Sequence, residues 1–93
     1  MYARVVTVHV QPGKMDELLH RIRERIPAVR TIRGFREAQF LTDAHTGTVL
    51  GITVWETEAD AKAAPVAGAE GGPLRDLLTA PAVVAYYELS LRV

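Results

Sequence analysis

Thr48-Val-Leu-Gly-Ile-Thr-Val-Trp-Glu-Thr-Glu-Ala-Asp60 runs a strand straight into a helix. Leu50, Ile52 and Val54 alternate with Val49, Gly51, Thr53 and Trp55, the period of two of an extended strand. The strand ends at the chain's only tryptophan. Thr57 and Asp60 then resemble a capping box: a hydroxyl for the first free N–H groups and a carboxylate reaching back. Neither face of the strand is polar. One is aliphatic; the other is small and uncharged and closes on a large ring. A strand of this kind needs cover on both sides.

Working outward, residues 3–10 form a valine-rich strand with Val6, Val8 and Val10 on one side and Val5, Thr7 and His9 on the other. Gln11-Pro12-Gly13 breaks it. Leu18, Leu19, Ile22 and Ile26 then take the spacing of an amphipathic helix, with Asp16 and Glu17 in the first turn where the helix dipole favours acids. Pro27 is expected to end or kink that helix, with a short continuation to Gly34. Residues 35–41 make a second strand whose faces are mixed, as a bulge or an edge position produces. Its inward side stays unassigned. Asp43-Ala-His-Thr-Gly47 is a hairpin loop. Beyond the capped helix, residues 65–73 read as a loop, either a lid or a disordered connection, followed by a short helical piece at 74–79. Residues 82–92 form the last strand, with Val83, Ala85 and Tyr87 opposite Val84 and Tyr86.

The order β-α-β-β-α-β gives a ferredoxin-like α+β fold: a four-stranded antiparallel sheet with both helices on one face, in a single domain spanning residues 1–93. The aliphatic sets Val6/Val8/Val10, Leu50/Ile52/Val54 and Val83/Ala85/Tyr87 suit the helix side. The open face is then expected to carry Val5, Thr7, His9, Val49, Gly51, Thr53, Trp55, Val84 and Tyr86. Four strands of about six residues project on the order of 350 Å², and monomers rarely leave so apolar a patch uncovered. A second copy packed face to face, closing an α/β barrel around a pocket, is the simplest remedy.

Composition narrows the classes. At 48% hydrophobic residues and zero formal net charge, the chain is globular and lacks the basic stripe of a nucleic-acid binder. It has no cysteine for disulfide or thiolate chemistry. No apolar run approaches the roughly 20 residues of a membrane span. The N-terminal residues read as a strand rather than a signal peptide, which makes the cytoplasm the default compartment. His20 and His45 have no ligand-spaced partners, so no metal site is expected. Arg30, Arg33 and Arg36 form a small basic cluster, a solvated surface that can also draw an anionic substrate.

Nearly end to end, the chain resembles the antibiotic-biosynthesis-monooxygenase-like domains of the dimeric α/β-barrel superfamily. The resemblance rests on Val10-Gln-Pro-Gly-Lys-Met-Asp-Glu-Leu18, Gly34-Phe35, Leu41-Thr-Asp43, Trp55-Glu-Thr-Glu-Ala59 and Tyr87-Glu88-Leu89. It implies a homodimer joined through the sheet face and a cofactor-free monooxygenase acting on an ionisable aromatic or quinol-like molecule. The anion of such a substrate gives an electron to oxygen, so the protein need only bind, ionise and shield. The resemblance puts Trp55 in the pocket. His9, which strand parity sets on the same side, is the candidate base, and Tyr86 the candidate donor. Val5, Thr7, Val49, Gly51, Thr53 and Val84 would form the substrate wall. The chain departs from the family pattern in having no asparagine; Gly51 or Thr53 stands where catalytic relatives carry one. Residues 58–80 hold no histidine, which disfavours the haem-degrading branch. The alternative to an enzyme is a non-catalytic ligand-binding or structural homodimer of the same fold.

Overall fold

The computed structural model describes residues 1–93. Its elements are β1 (Tyr2–His9), α1 (Met15–Val29), β2 (Phe35–Asp43), β3 (Thr48–Trp55), α2 (Glu58–Ala63), a 3₁₀ turn (Arg75–Leu77) and β4 (Val83–Glu88). The strands form one sheet in the order β2-β3-β1-β4, with every neighbouring pair antiparallel. This is the ferredoxin-like α+β arrangement expected from the element order. No helix is long and apolar enough to cross a membrane.

Local chemistry explains the boundaries. Thr57 caps α2, its Oγ1 accepting from the Asp60 N–H at 3.0 Å. Only this half of a capping box forms. The Asp60 carboxylate rests over Gly34, 3.8 Å from Arg33 Nε. Gly34 has φ +83°, and a methyl there would overlap that carboxylate, so glycine is required on both counts. α1 does not stop at Pro27 but continues to Val29. Pro27 and Arg23 both lie on the exposed face, so the carbonyl that loses its donor can meet water. Residues 65–73 are not an unstructured connection. Successive turns tie them together: Ala69 N–H to Val66 O at 3.1 Å, Gly72 N–H to Ala69 O at 2.8 Å and Leu74 N–H to Ala67 O at 2.9 Å. The last strand ends at Glu88 rather than at 92. Leu89 N–H bonds Met1 O, and the tail then reaches β2, where Arg92 pairs with Glu37.

The registers assign the faces. Tyr2, Arg4, Val6 and Val8 stand opposite Trp55, Thr53, Gly51 and Val49; on the other flank Arg4 and Val6 stand opposite Tyr86 and Val84. Directly opposed residues share a face. Val8 and Val49 pack with Leu18 of α1, and Trp55 packs with Ala61 of α2, so this is the helix face. The expected assignment therefore holds for β1 and is reversed for β3 and β4. Leu50, Ile52, Val54, Val83, Ala85 and Tyr87 are on the open face with Val5, Thr7 and His9. A bulge between Phe35 and Glu37 shifts β2 by one residue, which accounts for its mixed pattern.

The core is split. One cluster joins Val10, Leu18, Val49, Leu74, Leu77 and Leu78. The other centres on Trp55, Ala61 and Ala64, with Tyr2, Ile32, Phe35 and Tyr86 against them. Mid-sheet residues Arg4, Val6, Gly51 and Thr53 belong to neither, and a cavity lies over them.

Candidate functional site

The cavity holds about 120 Å³ between the sheet and α1. Arg4, Val6, Val8, Val49, Gly51 and Thr53 form its floor; Ile22, Arg25, Ile26 and Val29 of α1 form one wall; residues 65–68 form another. Phe40 closes the side toward β2. Its ring lies over Gly51, where a methyl would come within 3.2 Å of Phe40 Cε1. Gly51 thus makes room for an aromatic ring from the neighbouring strand.

The polar groups in this apolar chamber are two guanidiniums and one hydroxyl. Arg4 is only 7% exposed. Its Nη1 donates to Ala64 O at 2.7 Å and its Nη2 to Pro65 O at 3.2 Å, satisfying carbonyls at the end of α2. Its Nε is buried without a partner. Burial pushes the guanidinium below its ordinary pKa range, and Tyr86, facing it across the strand pair, pulls partly back. Arg25 is half-buried on α1 and pairs with no carboxylate. No acid and no histidine lines the cavity. The arrangement fits an anion carried on an apolar body.

Trp55 stands behind the floor. It is fully buried, and its Nε1–H donates to Thr53 Oγ1 at 2.8 Å. The Arg4 guanidinium lies 5.6 Å from the Trp55 ring centroid, within cation–π range. The Phe35 ring meets Trp55 edge-on at 5.6 Å and 76°. Since Thr53 Oγ1 accepts from tryptophan, its own O–H is left to donate.

Of the expected site residues, Val49, Gly51 and Thr53 line the cavity and Trp55 supports it. Val84 and Tyr86 share the helix face but lie outside the lining; Tyr86 packs with the tryptophan cluster. Val5, Thr7 and His9 are on the opposite face. His9 is exposed, and its carbonyl accepts from the Thr79 N–H at 2.9 Å. It is not brought together with Trp55, because parity along β1 puts it with the outward residues once Val6 and Val8 face the helices. Arg4, Arg25 and Phe40 were missing from the expected set. The available signal was an arginine at inward parity in a valine strand.

The fold and cavity define a ferredoxin-like α+β domain with an apolar cavity between sheet and helix inside one chain. The family model for antibiotic biosynthesis monooxygenase matches residues 1–64, and the chain belongs to that family. Solved structures of similar fold include the heme-degrader MhuD from Mycobacterium tuberculosis with two hemes bound, 22% identical over 100% of this chain and 99% of that one, TM-score 0.76. A monooxygenase of Streptomyces coelicolor in complex with nanaomycin D is 18% identical over 99% and 89%, TM-score 0.77. A protein of unknown function from Nitrosomonas europaea is 19% identical over 99% and 92%, TM-score 0.79. No curated protein sequence matches the chain. At these identities the likenesses establish the fold alone. Haem, the group MhuD holds, does not fit this cavity. No imidazole lines it, the chain has no cysteine, and no cluster of three potential metal ligands exists.

Proposed function

We propose that the protein is a cofactor-independent monooxygenase acting on an ionisable aromatic or quinol-like small molecule bound between the sheet and α1. Family membership supports the reaction type. The single observation that carries the substrate class is Arg4: a nearly fully buried guanidinium with an unpartnered Nε, lining an apolar cavity without an acid. An aromatic hydroxyl entering there is favoured as its anion, because a nearby cation lowers its pKa. With no base in the lining, the proton passes to water. The anion gives one electron to dioxygen, and the resulting radicals join through a new C–O bond. The peroxide anion so formed takes a proton back from water, and loss of water from the hydroperoxide leaves a quinone carbonyl. One oxygen atom of dioxygen enters the product and the other leaves as water. In this scheme Arg4 and Arg25 hold the charge, Thr53 donates its O–H, and Trp55 positions Thr53.

The open face supports a homodimer. Val5, Leu50, Ile52 and Ala85 are flanked by Leu41, Val83 and Tyr87, which are 49%, 69% and 58% exposed. This pairing would leave each chamber inside its own subunit. The missing base favours a second reading, a binder of aromatic anions without turnover. Both are tested with 1-naphthol under labelled dioxygen. Label in the quinone, lost on Arg25→Gln, supports the oxygenase. Quenching of Trp55 without oxygen uptake supports the binder. No uptake and no quenching would sink both.

A further inference from the structure

A second void, about 810 Å³, runs between α1 and the edge strand β2. It shares Ile22, Ile26 and Phe40 with the inner cavity. We infer that this groove is the outer half of one ligand site, and that its ligand is an elongated aromatic with an ionisable hydroxyl at the inner end and a carboxylate at the outer end. The inference rests on the inner cavity being the substrate chamber.

Size gives the first reason. The inner cavity, at about 120 Å³, is close to the roughly 150 Å³ that accommodates one benzene ring. A ligand of two or more fused rings must extend past the threshold, and the groove is the space that continues from it. The groove's walls give the second reason. Leu19, Phe35 and Ala38 continue the apolar surface of the chamber. The groove also carries Arg23, Arg30 and Arg36 against the single acid Glu37. Arg36 is held by Glu56 at 3.0 Å and Glu37 by Arg92. Arg23 and Arg30 are exposed and have no carboxylate partner. They are the cations free to meet an anion at the outer end. Charge at both ends with apolar walls between sets the ligand's polarity along its length.

Phe40 is the residue that sets ligand length. It borders both voids, is 37% exposed, and its ring rests above Gly51 with no side chain beneath. A smaller residue at this position would join groove and chamber.

The test compares binding of phenol, 2-naphthol and 6-hydroxy-2-naphthoate by Trp55 quenching. The hydroxynaphthoate is expected to bind about fivefold more tightly than 2-naphthol, in keeping with two exposed charge contacts. The double variant Arg23→Gln/Arg30→Gln should remove that gain and leave 2-naphthol unchanged. Phe40→Leu, which joins groove and chamber, should tighten both bicyclic ligands relative to phenol. A hydroxynaphthoate that gains nothing over 2-naphthol, or keeps its gain in the double variant, overturns the two-part site while phenol and 2-naphthol binding leaves the chamber standing. If none of the three binds, the chamber reading falls and the groove reading with it. Both arginines are exposed and unpaired, so their replacement leaves the fold in place, which a thermal melt checks.

Discussion

Thr53→Val is the sharpest probe of how this domain is held. Valine has nearly the shape of threonine, suits a strand better in propensity, and opens no void. On burial grounds alone the change should be neutral or favourable. The geometry says otherwise. Trp55 is fully buried and its Nε1–H donates to Thr53 Oγ1 at 2.8 Å, so valine strands a donor where water cannot reach it. That costs about 1–3 kcal/mol. Each kcal/mol lowers the melting temperature of a domain this size by roughly 4–8 °C. A loss near 2 kcal/mol therefore means a fall of roughly 8–16 °C. Urea unfolding followed by Trp55 fluorescence and by far-ultraviolet dichroism measures it, and Thr53→Ser, which keeps the acceptor, should recover most of the loss. The decisive arm repeats Thr53→Val in a Trp55→Phe background, followed by dichroism. With the donor gone, the valine should cost almost nothing. An equal cost in both backgrounds, or a neutral Thr53→Val in the parent, would refute the role given to this bond and the positioning role of Trp55 with it.

Two further outcomes follow from the surface. The chain should sediment as a dimer at micromolar concentration, and Ile52→Lys, at the centre of the open face, should yield a folded monomer; unchanged sedimentation would refute the face-to-face pairing. The second concerns Asp76, where the 3₁₀ turn meets α1. Arg21 Nη1 donates to its Oδ1 at 2.9 Å, and that bond holds the carboxyl below its ordinary value of 3.8. A depressed folded pKa stabilises fully above the unfolded value and is lost as pH falls through the folded one. Arg21→Gln should thus destabilise at neutral pH, with the difference from the parent closing on acidification below the ordinary carboxylate range. A pH-independent difference in thermal melts would assign Arg21 a role other than this pair.

The element order was legible because each boundary has a local chemical mark. The Gln11-Pro12-Gly13 break precedes α1, and Thr57 caps α2. The faces were not legible, and the reason is long-range. Alternation divides a strand into two sides without saying which is inside, and β3 is uncharged on both. Only the pairing of Val6 with Gly51 and Val8 with Val49 carries the orientation of β1 into β3. Aliphatic content misleads here, since Leu50 and Ile52 are outward while Gly51 and Thr53 face the helices. The bulge after Phe35 hides β2 in the same way, because one extra residue reverses its parity. The site inherits this ambiguity. Counting along separate strands groups His9 with Trp55, and the register separates them.

The residues that break their strands' patterns are adjacent in space. Arg4 interrupts a valine strand and stands opposite Thr53; Gly51 interrupts an aliphatic strand and stands opposite Val6. Together they make the floor of the chamber between the two halves of the core. A buried arginine lacking an acid partner is a cost to folding, as is a glycine in mid-strand. Each is offset locally: Arg4 closes the end of α2 through Ala64 O and Pro65 O, and Gly51 seats the Phe40 ring. What neither compensation uses is the unpartnered Nε and the cavity that the floor lines. On the reading proposed above, an aromatic anion would take its place in that cavity beside the Arg4 charge. This also changes the kind of catalysis the proposal asks of the site. A histidine base would remove a proton directly; in the proposed scheme Arg4 and the half-buried Arg25 would instead hold the anion after the proton has gone to water. The dependence of rate on pH should then follow ionisation of the bound substrate rather than titration of any histidine in the chain.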